Sequence, residues 1–230
     1  MVDFHEDWYN KLIAKSNEKD LLVAKISDLL QGKSHRSCLE IGLGTSAYFS
    51  TKLAGYFDNY TIVEKNKFYE PLPSIVKLIV GDFESTPLHQ QYDVILASHV
   101  VYYFNDLPRA VKKIVDALTV DGRAYFVVNG SNSDYGPTKH AFASFINKPY
   151  QFTYDILKAQ LIGLHVREYT TQASISFSSH EDLFETLRLS FDLFPNEYEE
   201  NRSRMINWLK NNIKGDKFFV DQKIIEVSRK

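Results

Sequence analysis

The stretch that most constrains the fold of this chain is Ser37 to Phe49, where a short apolar run meets two closely spaced glycines. The run from Cys38 to Ile41 predicts a buried strand. Gly42 and Gly44 allow a tight turn and a close backbone approach to a ligand. The pattern then predicts a helix from about Thr45 to Ala54, with its N-terminal amides directed at that ligand. A strand, a glycine turn and a helix in this order indicate a nucleotide-like ligand.

Two carboxylates accompany the glycine turn. A second apolar run, Tyr60 to Glu64, ends in an acid twenty residues after Gly44, which is where an open α/β sheet places an acceptor for ribose hydroxyls. Glu40 lies inside the first strand, two residues before the first glycine. A buried charge requires a partner. A cationic sulfonium ligand with an amino-acid ammonium suits Glu40 better than a pyrophosphate does.

The rest of the chain continues an alternation of strands and helices. Two helices are predicted within residues 7–31, and a short helix is predicted from Asn66 to Pro73. The later elements are expected as strands at 75–80, 92–98, 123–129, 166–173 and 217–227, and as helices at 106–118, 138–147, 154–161, 180–194 and 196–212. This regular alternation favours an α/β fold with a doubly wound, mostly parallel sheet.

Length favours one domain. The 230 residues suffice for one sizeable core, and no internal repeat, low-complexity tract or linker divides them. Within this domain the pattern predicts an N-terminal helical cap (1–35), a cofactor-binding core (36–173), a helical insertion (174–216) and a last strand (217–230).

Composition restricts the partners and the compartment. The formal net charge is −2, from 27 basic and 29 acidic residues, so a nucleic-acid partner is not expected. Cys38 is the single cysteine, which excludes an internal disulfide and agrees with a reducing compartment. Neither a signal peptide nor a bilayer-spanning run is visible. A cytoplasmic protein without a membrane partner is therefore expected.

Metal and hydrolase chemistry have little support in the sequence. None of the seven histidines lies three to five residues from another, and a structural zinc site would require cysteines that the chain lacks. The G-x-S-x-G elbow of serine hydrolases does not occur. No metal site is predicted.

Five motifs together resemble those of class I S-adenosylmethionine-dependent methyltransferases. They are Leu39 to Gly44, Glu64, Gly81-Asp82-Phe83, the run that begins at Tyr92, and the turn Leu118 to Arg123. The resemblance covers residues 36–130. It implies a seven-stranded sheet whose last strand, 217–227, runs antiparallel between strands five and six. One departure is Ser46, which replaces the third glycine of the usual loop.

The resemblance implies S-adenosylmethionine as cofactor. The predicted contacts are Glu40, Gly42 and Gly44 at the methionine end, Glu64 at the ribose, Asp82 and Phe83 at the adenine, and Ser98 and His99 closing the pocket. Two alternatives stay open, namely that Asp82 is a plain turn acid and that Glu64 is a surface charge at a strand end.

A narrower resemblance covers the second half of the chain. His99 to Pro108, Val127 to Asp134 and Phe218 to Asp221 resemble histamine N-methyltransferase and its small-molecule relatives. By that resemblance, Glu18, His99 and Asp221 contact the amine. That family has glutamine and asparagine where this chain has His99 and Asp221. This difference argues against histamine as the methyl acceptor, whereas it agrees with another polar, cationic acceptor. Tyr9, Tyr102 and Tyr103 are candidates to wall the acceptor pocket, although aromatic residues at such spacing also form cores.

The predicted function is in-line methyl transfer to a small molecule, with an amine as one candidate acceptor. His99 is the candidate base or orienting group, since the ordinary pKa of histidine lies near physiological pH; the alternative is that it only packs beside the cofactor. A nucleic-acid base methyltransferase is disfavoured, because Ser98 to Val101 replaces the Asn/Asp-Pro-Pro-aromatic motif. An NAD-dependent oxidoreductase using Gly42 to Ala47 and a non-catalytic cofactor-binding protein stay open. The sequence does not define the oligomeric state.

Overall fold

Seven strands form one mixed sheet in the computed structural model, which describes residues 5–32 and 35–229. The strands are β1 (Ser37–Ile41), β2 (Asn59–Glu64), β3 (Val76–Val80), β4 (Tyr92–Ser98), β5 (Leu118–Ser133), β6 (His165–Ser176) and β7 (Lys217–Ser228). Their order is β3-β2-β1-β4-β5-β7-β6. The first five strands pair in parallel, and β7 is antiparallel to both β5 and β6. The predicted fold class and the predicted place of the last strand are confirmed.

Helices cover both faces and one end of this sheet. They are α1 (Glu6–Lys15), α2 (Glu18–Leu30), α3 (Tyr48–Leu53), α4 (Leu107–Asp116), α5 (Tyr135–Phe145), α6 (Thr153–Gln160), α7 (His180–Thr186), α8 (Pro195–Glu200) and α9 (Arg202–Asn212). Short 3₁₀ turns occupy Ala54–Tyr56, Val101–Tyr103 and Leu187–Phe191. Asp106 caps α4, because its carboxylate accepts a hydrogen bond from the Arg109 N–H. Within the described ranges, no helix combines the length and apolarity needed to cross a membrane.

Strand alternation divides the core between the two faces of the sheet. In β1, Leu39 and Ile41 pack with the α4 and α6 layer, whereas Cys38 packs with the α2 and α3 layer. Successive side chains of a strand point to opposite faces, so Glu40 shares the face of Cys38. Cys38 is a buried free thiol, as predicted. A third apolar cluster joins α5, β7 and the helices between β6 and β7.

The third cluster is dominated by aromatic side chains. The Tyr198 ring stacks between Phe184 and Phe191, with centroids 4.3 Å away on each side. Offset or stacked aromatic pairs of this kind add to the free energy of burial. The segment between β6 and β7 is therefore a packed helical layer and not an exposed loop. It begins later than predicted, because β6 continues to Ser176.

Two predicted helices differ in the structure. The helix expected over 45–54 is only α3, since the side chains of Thr45 and Ser46 bond to Asn10 and Lys19 and leave Ala47 at the N-cap without a capping side chain. The glycine turn therefore does not lead straight into a long helix. The helix expected from Asn66 to Pro73 does not form, because prolines restrict the residues before them to extended backbone.

Candidate active site

The glycine turn follows β1 and requires glycine at two positions. Gly42 and Gly44 have φ values of +78° and +64°, in the left-handed region that favours glycine. A Cβ atom on Gly42 would lie 3.1 Å from the Val100 side chain, and one on Gly44 would lie 3.0 Å from the Tyr9 hydroxyl. The Val100 side chain thus packs against Gly42, and Tyr9 of α1 lies directly over Gly44.

Glu64 ties the glycine turn to the end of β2. Its side chain is buried; Oε2 accepts a hydrogen bond of 2.7 Å from the Leu43 N–H, and Oε1 accepts one of 2.8 Å from the Asn66 N–H. Each carboxylate oxygen has capacity for a further donor. Glu64 is therefore fixed by the backbone on both sides and still able to accept ribose hydroxyls.

Glu40 is a buried acid on the same side of the strands. The Tyr60 hydroxyl donates to its Oε2 over 2.7 Å. Burial raises the pKa of Glu40 to about 7, which the Tyr60 hydrogen bond and the cation of Lys19 partly oppose. Burial also lowers the pKa of Lys19, whose ammonium donates to the Ser46 hydroxyl. A buried carboxylate of this kind fits a cationic ligand, so the residues present fit S-adenosylmethionine.

Asp82 and Phe83 have different surroundings beyond β3. Asp82 Oδ1 accepts a hydrogen bond of 2.7 Å from the Glu84 N–H, so its carboxylate stays at the strand end. The Phe83 side chain is buried in the core against Phe104, and the Lys113 ammonium lies 4.6 Å from its ring centroid. The adenine contact predicted for Phe83 stays a prediction. The glycine turn with Glu40, Glu64 and Asp82 is called the cofactor end below.

His99 follows β4 and has an unusual backbone. Its φ is +51°, which is uncommon outside glycine and occurs frequently at functional sites. Its ring stacks on Tyr102, with centroids 6.1 Å apart and planes 11° apart. Its Nε2 lies 3.3 Å from Glu18 Oε1, an ion-pair distance without the alignment of a hydrogen bond. Glu18 Oε2 in turn accepts a hydrogen bond of 2.9 Å from Gln222.

Buried polar atoms without hydrogen bonds converge on the same place. Within the described part of the chain, His99 Nε2, Asn129 Oδ1 and Gln222 Oε1 are buried and have no hydrogen-bond partner. Asn129 and Gln222 face each other in the β5–β7 register, and the backbone N–H of Asn129 donates to the Tyr102 hydroxyl. Glu18, His99, Asn129 and Gln222 are called the acceptor end below.

Sequence reasoning identified two of these four residues. Asn129 was missed, although its place at the end of an apolar run was a usable signal. Asp221 is the residue predicted on the last strand, but the side chain that contacts Glu18 is that of Gln222. Adjacent residues of a strand point to opposite faces. The Asp221 side chain therefore points away from Glu18 and accepts a hydrogen bond of 3.3 Å from Gln172. The contact between Asp221 and the amine stays a prediction, although the structure places the Asp221 side chain on the face of β7 opposite to Gln222 and Glu18.

The remaining predicted residues lie at the end of β4 and in the turn that follows it. Ser98 pairs with Val127 as the last residue of β4. Tyr102 and Tyr103 form the 3₁₀ turn that follows, with ring centroids 6.5 Å apart. Burial raises the pKa of both hydroxyls well above the ordinary value, so both stay neutral. These two tyrosines supply an apolar wall with neutral hydroxyls beside His99.

Other candidate sites are poorer. A surface groove of about 620 Å³ lies between loop 84–91 and α4, and neither Glu40, Glu64, Asp82 nor His99 lines it. No group of three or more metal-ligating side chains is assembled anywhere in residues 5–32 and 35–229. The chemistry therefore concentrates at the carboxyl ends of the parallel strands, where open α/β sheets bind ligands.

The strand order, the glycine turn, the acid that ends β2 and the acid that follows β3 define a class I S-adenosylmethionine-dependent methyltransferase fold. Residues 14–182 match the model of the methyltransferase domain family, and the chain belongs to that family. It is an S-adenosylmethionine-dependent methyltransferase. This assignment decides against the oxidoreductase and the non-catalytic binding protein that the glycine pattern left open.

Three solved structures illustrate the similarity in fold. The YcgJ protein from Bacillus subtilis matches with a TM-score of 0.62 and 14% identity over 90% of this chain and 98% of its own. A putative methyltransferase from Bacillus halodurans matches with a TM-score of 0.63 and 13% identity, over 89% of this chain and 97% of its own. The N-methyltransferase NodS from Bradyrhizobium japonicum was solved with S-adenosylhomocysteine. It matches with a TM-score of 0.52 and 14% identity, over 92% of this chain and 86% of its own.

At these identities the solved structures show the fold alone. Comparison with curated protein sequences gives no significant match. The narrower resemblance to histamine N-methyltransferase is not shown by these comparisons, and it stays a prediction.

Proposed function

We propose that this methyltransferase transfers a methyl group to an amine nitrogen of a small molecule bound at the acceptor end. The observation that supports this most directly is the set of buried oxygens there. Glu18 supplies a carboxylate, and Asn129 Oδ1 and Gln222 Oε1 have no donor among the described residues. An amine or ammonium group carries several N–H donors, whereas a hydroxyl carries one. An amine therefore satisfies this site better than an alcohol or an acid.

At the cofactor end, the proposed contacts follow the chemistry of each side chain. Glu40 would hold the ammonium of the methionine portion, Glu64 the ribose hydroxyls and Asp82 the adenine. The backbone of Gly42 and Gly44 would border the methionine portion. When bound, S-adenosylmethionine would supply an activated methyl group, held on its sulfonium sulfur, to the lone pair of the acceptor nitrogen.

The residues of the chain would align the acceptor and remove its proton. An ammonium acceptor has no lone pair until it loses a proton. His99 Nε2 is the proposed base, and the Glu18 carboxylate at 3.3 Å would stabilise the imidazolium that forms. Tyr102 and Tyr103 would exclude water from the reacting atoms. Transfer to the aligned nitrogen would form an N–C bond in place of the C–S bond and leave the positive charge on the methylated nitrogen, beside the Glu18 carboxylate.

The proposal is tested with a set of small amines and their matched alcohols and carboxylic acids, using S-adenosylmethionine with a labelled methyl group. We expect labelled product from amines, with the label on nitrogen by mass spectrometry. Exclusive methylation of oxygen would overturn the amine assignment while leaving the methyltransferase class intact.

Adjacent residues of β7 provide the matched control. Gln222→Leu removes an amide of the acceptor end, and we expect the KM for the amine to rise about tenfold through the lost hydrogen bonds. Asp221→Asn changes the neighbour that points to the other face, and we expect the KM to change less than about twofold. Equal effects of the two variants would contradict the proposed position of the acceptor.

A further inference from the structure

Lys19 of α2 places an ammonium group at the glycine turn. Its Nζ donates a hydrogen bond of 3.0 Å to the hydroxyl of Ser46, two residues beyond Gly44. The same Nζ lies 5.3 Å from the ring centroid of Tyr9 and 5.9 Å from that of Tyr48, and Tyr9 is the residue that covers Gly44. Lys19 is therefore held beside the turn by contacts with α1, with the turn itself and with α3.

The hydrogen-bonding capacity of this ammonium is only partly used. An ammonium carries three N–H donors, and the neutral Ser46 hydroxyl is the one hydrogen-bond acceptor of Nζ in the described structure. No carboxylate of the described residues lies within the ion-pair distance of 4.0 Å from Nζ. Burial lowers the pKa of Lys19, whereas the charges of Glu18 and Glu40 favour its ammonium form. The residue is half-buried and not sealed in the core, so its remaining donors are available to a ligand on the turn.

Opposite charges thus flank the glycine turn. Glu40 precedes the turn on β1, and Lys19 binds Ser46 on its far side. Each of these two charges favours the charged form of the other, although the described structure holds no ion pair between them. An α-amino acid zwitterion carries an ammonium and a carboxylate on one carbon atom, so it can satisfy both charges at once. The methionine portion of S-adenosylmethionine is such a zwitterion.

We propose that Lys19 binds the carboxylate of the methionine portion, while Glu40 holds its ammonium. The oxygens of that carboxylate accept the N–H donors that Ser46 leaves unused. The Ser46 hydroxyl orients Nζ, which gives a role to the serine that replaces the third glycine of the usual loop. This role of Lys19 rests on the proposed function, in which the methionine portion lies beside Gly42 and Gly44, but not on the identity of the methyl acceptor.

The test compares S-adenosylhomocysteine with its decarboxylated analogue, which keeps the amine, the sulfur, the ribose and the adenine and lacks only the carboxylate. Calorimetry measures the affinity of the full chain for both ligands, with and without Lys19→Met. We expect the unmodified protein to bind S-adenosylhomocysteine about tenfold more tightly than the analogue. Lys19→Met is expected to weaken S-adenosylhomocysteine binding about tenfold and to change the affinity for the analogue less than about twofold, because it removes the partner of the carboxylate. Equal weakening of both ligands, or of neither, would overturn the proposal.

Lys52→Met is the matched control. The Lys52 ammonium lies 5.9 Å from the centroid of the same Tyr48 ring, but the residue is exposed and makes no hydrogen bond to the turn in the described structure. We expect this variant to bind S-adenosylhomocysteine within about twofold of the unmodified protein, and an effect as large as that of Lys19→Met would overturn the proposal. If Lys19→Met does not fold, equal affinity of the unmodified protein for the two ligands would still overturn it. Binding of neither ligand by the unmodified protein would contradict the proposed cofactor end as a whole, and with it the role of Lys19.

Discussion

The cofactor end and the acceptor end differ in how their polar atoms are satisfied. At the cofactor end, Glu64 accepts two backbone N–H groups and Glu40 accepts the Tyr60 hydroxyl. At the acceptor end, Asn129 Oδ1 and Gln222 Oε1 are buried without donors among the described residues. The fold alone therefore holds the proposed cofactor contacts in place, whereas the proposed acceptor contacts would be completed only by a ligand with donors. Selectivity for the acceptor is expected to depend on this missing set of donors.

The largest effect is expected from His99 at the acceptor end. His99→Asn removes the proposed base, and asparagine tolerates the left-handed backbone that this position requires. We expect kcat to fall about 10²-fold or more, which is the usual loss for a general base, while affinity for S-adenosylmethionine changes little. Steady-state kinetics and calorimetry measure the two quantities separately. A variant with normal kcat would show that His99 only packs beside the site.

At the cofactor end, Glu64→Ala is expected to weaken S-adenosylmethionine binding by about 1 to 3 kcal/mol, through lost charge-assisted hydrogen bonds and release of the glycine turn. Glu64→Gln keeps one acceptor oxygen and is expected to lose less. The matched control is Glu200→Ala, an exposed acid of α8. Calorimetry measures the affinity of each of the three variants for S-adenosylmethionine. Unchanged affinity in Glu64→Ala would remove Glu64 from the site.

A smaller, pH-dependent effect is expected from Glu40. Because its pKa is about 7 in place of 4.5, a cation that binds beside it must displace a proton at lower pH. Affinity for S-adenosylmethionine should therefore fall below pH 7 by up to about tenfold per pH unit. Glu40→Gln should remove that dependence, which titration at pH 5.5, 6.5 and 8 would reveal. A parallel pH profile in the variant would assign the dependence to another group.

The same raised pKa has the opposite consequence for stability. An acid whose pKa is raised on folding favours the folded state least when it is charged, so the penalty grows as pH rises from about 4.5 to 7. Glu40→Gln is thus expected to raise the melting temperature of the ligand-free protein at pH 8 and to leave it nearly unchanged near pH 4.5. A lower melting temperature at pH 8 would show that the Tyr60 contact outweighs the charge.

Features set by local backbone chemistry were accessible from the sequence. The glycine turn and Glu64 follow from short motifs, because the turn geometry and the end of a parallel strand are defined within a few residues. The acceptor end was only partly accessible. Gln222 lies 204 residues from Glu18, and a shift of one residue along β7 exchanges the faces of Asp221 and Gln222. Such contacts depend on register, which no single stretch of sequence encodes.

The N-terminal helices have a consequence for the timing of turnover. No residue of α1, which is described over its whole length, is buried, yet its Tyr9 covers Gly44. The junction that follows is anchored, because Asn17 exchanges two hydrogen bonds with Ser174 of β6. A ligand on the Gly44 backbone would share that space with Tyr9, so we expect Tyr9 and the part of α1 that carries it to move when ligands exchange. The residence time of the spent cofactor would then be set by a surface helix, and with it the interval between one catalytic cycle and the next.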